Sequence, residues 1–190
     1  MRPNEADSEK HEMNKPPGRY HPALVALHWL LALLLIVALT MGTFALKTVP
    51  NSSPDKLSAL QGHMIAGGLI LVLTIARLLV RLKSAHPAPA STGNATLDRL
   101  APLTHWALYG MVLLMAGSGV AMSVLAGLPQ IVFGGVGSLP ANFDALPPRA
   151  VHGIVAKLLA LAIGLHIAAA LYHQFVRRDG LLSRMGFGPR

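Results

Sequence analysis

The sequence predicts an all-α integral membrane protein, a four-helix bundle with both termini in the cytoplasm. Three observations support this. Apolar residues make up 53% of the 190 residues and charged residues only 13%, whereas a soluble domain carries about 25% charged residues. Four long apolar segments each exceed the roughly 20 residues that a helix needs to cross a bilayer. Lys and Arg residues are concentrated at alternate ends of these segments.

A polar arm comes first. Residues 1–21 mix acidic and basic side chains, and such a segment is expected to be disordered or to lie on the membrane surface. It is too acidic for the start of a signal peptide. The transmembrane domain is predicted over residues 22–180, and residues 181–190 form a basic C-terminal tail.

The four spans are predicted as helices because a bilayer leaves backbone polar groups no partner outside the segment. A short loop with Pro50 and Pro54 joins the first two, and a Pro- and Ala-rich linker joins the next two. Residues 128–149 are longer, glycine-rich and still apolar, so this connection is expected to fold over the end of the bundle. The predicted spans are residues 23–46, 57–82, 100–127 and 150–176.

The distribution of Lys and Arg predicts the orientation. Four lie in the arm, four flank the linker between spans two and three, and four lie in the tail. Cytoplasmic segments carry the excess of positive charge, so both termini are predicted to be cytoplasmic. The basic residues predicted on the outer side are Lys47, Lys56, Arg149 and, inside the fourth span, Lys157.

Composition also excludes several kinds of chemistry. The chain has no cysteine, which rules out disulfides, iron–sulfur clusters and covalently attached haem. The net charge of +8 does not indicate nucleic-acid binding, because the basic residues flank apolar runs, where they orient helices and contact anionic lipid.

Histidines are unusually frequent in the predicted spans, and ionisable residues inside a membrane are functional candidates. His152 and His166 are separated by fourteen residues, which is about 21 Å along a helix and within about 40° of the same face. The predicted topology brings His63 to the depth of His152 and His28 to the depth of His166. The sequence therefore predicts two facing pairs at two depths.

Facing imidazoles in an apolar bundle are what bis-histidine haem iron requires. His28, His63, His152 and His166 are therefore predicted to coordinate the irons of two non-covalently bound haems. A zinc or copper site would need three or four ligands around one ion, and a proton relay would favour carboxylates, which the spans lack. A histidine-only relay stays open. Nearby glycines leave room for a macrocycle or allow close helix packing; they are Gly62, Gly67, Gly68, Gly153 and Gly164.

Other polar residues in the spans keep alternative roles. His105 is expected to replace His28 as a ligand, to bind a haem propionate or a quinone, or to hydrogen-bond to a neighbouring helix. Lys157 is expected either to extend to the outer surface or to pair with a propionate, and Arg77 and Arg81 have the same alternatives on the inner side. His173 is expected at the membrane interface.

Four stretches resemble a known family: ALHWL at 26–30, GHMIAGGLILVLTIARLLVRL at 62–82, LTHWALYGMVLL at 103–114 and VHGIVAKLLALAIGLHIAAALYHQF at 151–175. They are similar to the bacterial cytochrome b561 family of small dihaem membrane cytochromes. The resemblance implies four transmembrane helices in the bacterial inner membrane and two haem b groups, one near each face. It also implies haem ligands at His28, His63, His152 and His166. Lys157 and residues 1–18 have no match in the family pattern.

The activity that the resemblance implies is electron transfer with ubiquinone, with superoxide as the donor in some members. Superoxide would reach the outer haem from outside, attracted by Lys47, Lys56, Arg149 and Lys157. A second hypothesis is a cytochrome b membrane-anchor subunit of a multi-subunit dehydrogenase or hydrogenase, which the short loops disfavour. A third is a non-redox bundle such as a transporter or scaffold, which has no use for paired histidines.

Overall fold

The structure, a computed structural model, describes residues 18–89 and 93–186. This part of the chain is helical throughout and contains no strand. Most of the predicted arm (1–17, with His11) and the end of the tail (187–190) lie outside the described residues. The helices are α1 (Pro22–Thr40), α2 (Pro54–Lys83), α3 (Ala95–Leu125), the short α4 (Leu128–Val132) and α5 (Pro147–Tyr172).

Four of these helices, α1, α2, α3 and α5, are long and apolar enough to cross a membrane, which confirms the predicted all-α fold with four spans. α1 continues into a π-helical turn, Met41–Ala45, and α5 into another, His173–Arg177. A final 3₁₀ helix spans Leu181–Met185.

Proline and capping side chains determine where the helices begin. Pro22 starts α1, and the His21 ring accepts a hydrogen bond from the Ala23 amide. Pro54 starts α2, where the Ser53 hydroxyl accepts from the Asp55 amide. Proline fits the first helical position because no helix partner is needed for its missing N–H. The first turns of α2, α3 and α5 are partly polar. These helices therefore begin at residues 54, 95 and 147, before the predicted apolar spans that start at 57, 100 and 150.

One end of the bundle holds both ends of the described chain; we call it the terminal end. The Trp29 indole N–H donates to the Met185 carbonyl at 2.9 Å, and the Tyr20 amide donates to the Arg184 carbonyl at 3.2 Å. The Arg184 guanidinium also donates to the Ala88 carbonyl at 2.7 Å. The 3₁₀ helix thus ties the start of α1 to the linker between α2 and α3.

The opposite end, called the loop end, holds the α1–α2 loop and the long connection before α5. The short helix α4 lies against α2 and α3, with Leu128 buried. The Asn51 side-chain amide donates to the Pro140 carbonyl at 2.7 Å. The connection therefore folds over this end, as its apolar composition predicts, although the sequence analysis did not predict a helix in it.

A small apolar core lies at mid-height, and Leu159 at its centre is fully buried. Large apolar side chains such as Leu33, Val72 and Leu165 are more than 60% exposed on the outer surface, a distribution suited to lipid contact. The core residues are Leu31, Ala38, Ile70, Val112 and Leu159.

Candidate functional site

Two pairs of imidazole rings bridge the bundle. The ring centroids of His63 and His152 are 6.2 Å apart, with the ring planes at 74°. Those of His28 and His166 are 6.3 Å apart, at 68°. We call the first the loop-end pair and the second the terminal pair. The structure thus brings all four predicted ligands together in the predicted combinations.

Helix α5 supplies one ring to each pair. It is continuous from Pro147 to Tyr172, so His152 and His166 lie about 21 Å apart along its axis. α2 supplies the second ring at the loop end and α1 supplies it at the terminal end. The apolar core separates the two levels, because Leu159 lies midway between His152 and His166 in the chain.

The space between α5 and its partners suits a flat cofactor. α5 packs closely along α3 but approaches α1 and α2 much less closely, so imidazole rings bridge the interval. His63 with His152, and His28 with His166, would hold a haem iron through one imidazole nitrogen from each helix. The Nδ1 atom of His63 is buried without a hydrogen-bond partner among the described residues. These observations fit a bis-histidine haem at each level.

Glycines near the two histidine pairs fall into two groups, those beside open space and one in close contact with a ring. A Cβ atom on Gly67, Gly68 or Gly164 would meet nothing within 4 Å, so these positions leave open volume. A Cβ on Gly119 would lie 3.2 Å from Cε1 of His152. Gly119, which the sequence analysis did not single out, thus allows the His152 ring to lie against α3.

His152 is also the best anchored of these rings. Its Nδ1 atom lies 3.1 Å from the Met115 carbonyl oxygen and 3.2 Å from the Ser118 hydroxyl. Ser118 itself donates to the Met115 carbonyl at 2.9 Å. A lone serine in an apolar helix carries no sequence signal for such a contact, and only the packing of α3 against α5 reveals it.

His105 faces the terminal pair from α3. Its ring centroid is 5.8 Å from that of His166, at an interplanar angle of 74°. Three imidazoles therefore surround this level, but no group of three His, Cys, Asp or Glu side chains within 18–89 and 93–186 has the geometry for a metal ion. Both His28 and His105 thus lie within reach of a group bound by His166.

A cation–aromatic cluster lies beside the terminal pair. The Arg77 guanidinium donates a hydrogen bond to the Tyr109 hydroxyl and lies 5.2 Å from the centroid of that ring. Arg81 lies 5.7 Å from the Trp106 ring centroid. Both arginines are therefore directed toward α3, a contact that neither helix orientation nor pairing with a propionate, the two roles expected from the sequence, includes.

Lys56 departs from its expected role. The sequence predicts an outer cation that attracts a dissolved anion, yet Lys56 is only 4% exposed. Its ammonium donates to the Leu46 carbonyl and, at 2.8 Å, to the Val49 carbonyl. Lys56 thus stabilises the end of the first span, because it satisfies carbonyls that a helix terminus leaves without partners.

The remaining candidates lie at the periphery. Lys157 is exposed on α5, and His173 donates from Nδ1 to Asp179 at 2.5 Å beyond the terminal pair. This bond lowers the pKa of the Asp179 carboxyl below its ordinary value. Arg177 also contacts Asp179 at 3.4 Å. His21 caps α1, and His86 contacts Tyr20 edge-on at 6.0 Å in the linker.

Comparison with known proteins identifies the architecture. The family model described as prokaryotic cytochrome b561 matches residues 19–188. The chain is 31% identical over 175 residues to the probable superoxide oxidase CybB of Yersinia pestis, covering 88% of this chain and 95% of that protein. It is 27% identical to cytochrome b561 homolog 1 of Escherichia coli (88% and 97% covered). It is 28% identical to cytochrome b562 of Cereibacter sphaeroides (91% and 98% covered).

The match to the family model covers nearly the whole described chain, and the four apolar helices agree with a multi-pass bacterial membrane protein. The chain belongs to the prokaryotic cytochrome b561 family, whose members are membrane electron-transport cytochromes that bind b-type haem.

Proposed function

We propose that this chain binds two b-type haems and passes electrons between them across the bilayer. His63 and His152 hold the haem at the loop end, and His28 and His166 hold the haem at the terminal end. The supporting observation is the near-equal centroid separation of the two pairs, 6.2 and 6.3 Å, at two levels of one bundle. When bound, haem supplies reversible one-electron redox chemistry.

The protein's own residues set the surroundings of each site. Neutral imidazole nitrogens bind, and the orientation of each ring depends on what its second nitrogen contacts. The core around Leu159 keeps the space between the two levels dry. A dry, apolar shell controls solvent access and therefore the reduction potential.

The terminal end faces the cytoplasm in this proposal and the loop end faces the periplasm, because eight of the twelve described Lys and Arg residues lie at the terminal end and cytoplasmic segments carry the excess of positive charge. The membrane is the bacterial inner membrane. Ubiquinone is the electron partner at the terminal end.

Superoxide is the proposed electron donor at the loop end, as the name of the Yersinia pestis relative suggests. Two superoxide anions each lose one electron and leave as dioxygen. One ubiquinone takes up both electrons and two protons to give ubiquinol, so atoms and charges balance.

Surface charge at the loop end supports an anionic donor. Lys47 and Lys157 are exposed and Arg149 is half-buried, and the described acidic residues of this end are Asp55 and Asp144. Net positive charge near a site raises the local concentration of an anion and its association rate. Lys56 contributes less than its sequence position suggests, because backbone carbonyls surround its ammonium.

Haem content is the first test. Purified protein is expected to show a reduced-minus-oxidised spectrum of b-type haem with two haems per chain by pyridine haemochrome and protein assay. His63→Ala or His152→Ala should remove one haem, and His28→Ala or His166→Ala should remove the other. His21→Gln, which changes a histidine outside both pairs, serves as the control. A colourless wild-type protein that is well folded contradicts the proposal.

The donor is tested separately. The protein with ubiquinone in detergent should consume superoxide at a rate that falls steeply as ionic strength rises, because salt screens exposed charges. Lys47→Gln should lower the rate at low salt and have little effect at high salt. A dihaem protein that does not react with superoxide, or that co-purifies with a larger dehydrogenase, overturns this part and leaves the dihaem proposal intact.

A further inference from the structure

His152 differs from the other four rings of the two levels. Its Nδ1 atom has two partners on α3, the Met115 carbonyl at 3.1 Å and the Ser118 hydroxyl at 3.2 Å. Nδ1 of His63 is buried without a partner, and the described residues form no hydrogen bond to the rings of His28, His105 or His166. His152 is therefore the ring that hydrogen-bond partners on a neighbouring helix hold in place.

The pattern of donors determines which nitrogen of His152 carries the proton. The Ser118 hydroxyl donates to the Met115 carbonyl at 2.9 Å, so its oxygen presents a lone pair to His152. A carbonyl oxygen is an acceptor in any case. Since both neighbours of Nδ1 accept, Nδ1 carries the hydrogen and Nε2 is left free to bind a metal.

The support also restrains the ring plane. Ser118 is 8% exposed, so water does not compete strongly for its hydroxyl. The next residue of α3, Gly119, also lies against this ring, since a Cβ atom added there would lie 3.2 Å from Cε1 and 3.5 Å from Nδ1 of His152. The ring is therefore held against the backbone of α3, at 74° to the plane of His63.

From these contacts we infer that Ser118 is a positioning residue for His152: with the Met115 carbonyl it fixes the tautomer and plane of that ring and lowers the reduction potential of the loop-end haem. The inference rests on the proposed dihaem function. Acceptors on Nδ1–H make an imidazole a stronger base, and a stronger base stabilises ferric over ferrous iron.

The experiment compares three variants of the full-length protein. Ser118→Ala removes the hydroxyl without changing an apolar helix surface, and Ser118→Thr restores a hydroxyl at the same atom position. Ser123→Ala is the matched control, since Ser123 lies on the same helix and its side chain forms no hydrogen bond within the described residues. Haem content, both midpoint potentials and the low-spin ferric EPR spectrum are measured for each.

Ser118→Ala is expected to keep two haems and to raise one midpoint potential, so that the oxidised-to-reduced ratio of that haem falls severalfold at a fixed potential; tenfold corresponds to about 59 mV for one electron. One of the two EPR signals should shift, because its position reports the angle between the ligand planes. Ser118→Thr should restore most of both properties. The single-haem variant His28→Ala, which keeps the loop-end haem, identifies which signal moves.

Several results overturn the inference. The inference is wrong if Ser118→Ala leaves the midpoint potentials and the EPR spectrum unchanged, shifts the potentials of both haems equally, or shifts that of the terminal haem alone. It is also wrong if Ser123→Ala produces the same shift as Ser118→Ala. Each of these presupposes a dihaem wild-type protein, so they are distinguishable from failure of the proposed function, in which the wild type itself lacks two haems.

Discussion

The ring of His105 lies closer to that of His166 than the ring of His28 does, at 5.8 Å against 6.3 Å between centroids. Proximity alone would therefore select His105 as the partner of His166. The separation of the His28 pair, however, is nearly equal to the 6.2 Å of the loop-end pair. Two sites that hold the same group are expected to have the same spacing, which favours His28 as the ligand.

This relationship gives the first prediction. His28→Ala should abolish the terminal haem and reduce haem content from two per chain to one. His105→Ala should keep two haems and change only the properties of the terminal haem. Haem-to-protein stoichiometry of the two variants checks this, and loss of a haem in His105→Ala with none lost in His28→Ala would reverse the assignment.

The second prediction concerns Gly119. Gly119→Ala places a methyl group 3.2 Å from Cε1 of His152, so the ring has to move and occupancy of the loop-end haem should fall severalfold. Gly110→Ala is the control, because that position lies on the opposite face of α3, is exposed and has nothing within 4 Å of an added Cβ. Haem titration into the apoprotein measures both. Equal haem affinity in the two variants would show that the contact between residue 119 and the His152 ring does not limit haem binding.

Lys56 provides a stability prediction. Lys56→Met keeps the apolar stem but removes the donor from the Leu46 and Val49 carbonyls. Hydrogen bonds to a charged group contribute about 1.5–3 kcal/mol each, so the free energy of unfolding should fall by about 2 kcal/mol or more. Lys47→Met, at an exposed neighbouring lysine, should change it little. Thermal unfolding in detergent compares them, and equal melting temperatures would contradict the capping role.

The fourth prediction is a pH dependence that comes from His86. Burial, aided by the positive charge of Arg81, lowers the pKa of His86 below its ordinary value of 6.5. The unfolded chain therefore binds a proton at a higher pH than the folded chain, and the folded state loses stability as the pH falls below 6.5.

His86→Gln removes this titration, so the variant should gain stability relative to the wild type between about pH 7 and pH 5. Above pH 7.5 the difference between the two proteins should be constant. Unfolding curves at several pH values give the difference, and a difference that does not change across this range would exclude His86 as the source.

Hydropathy and helical spacing predict much of this protein. The spans and the pairing of His152 with His63 and of His166 with His28 follow from 3.6-residue periodicity and topology. Helix ends are less predictable, because Pro54, Asp55 and Lys56 lie outside the apolar run yet form the first turn of α2. A capped helix start depends on local hydrogen bonds and not on apolar content.

Other features depend on contacts between segments far apart in the chain. The sequence predicts that Lys56 is an exposed cation, and only the fold shows that backbone carbonyls surround its ammonium group. The contact of Ser118 with His152 joins residues 34 positions apart. The approach of His105 to His166 depends on how α3 and α5 rotate against each other, which periodicity does not specify.

The core around Leu159 has an electrical consequence. The core residues and the side chains packed on them are all apolar, so they offer no group to carry a proton alongside an electron between the two levels. Under the proposed dihaem function, each electron transfer would therefore displace an uncompensated charge through part of the membrane potential, which amounts to about 2.3 kcal/mol per charge for a full crossing at 100 mV. A membrane that is negative inside opposes inward electron movement, and turnover in energised vesicles should accelerate when an ionophore collapses the potential.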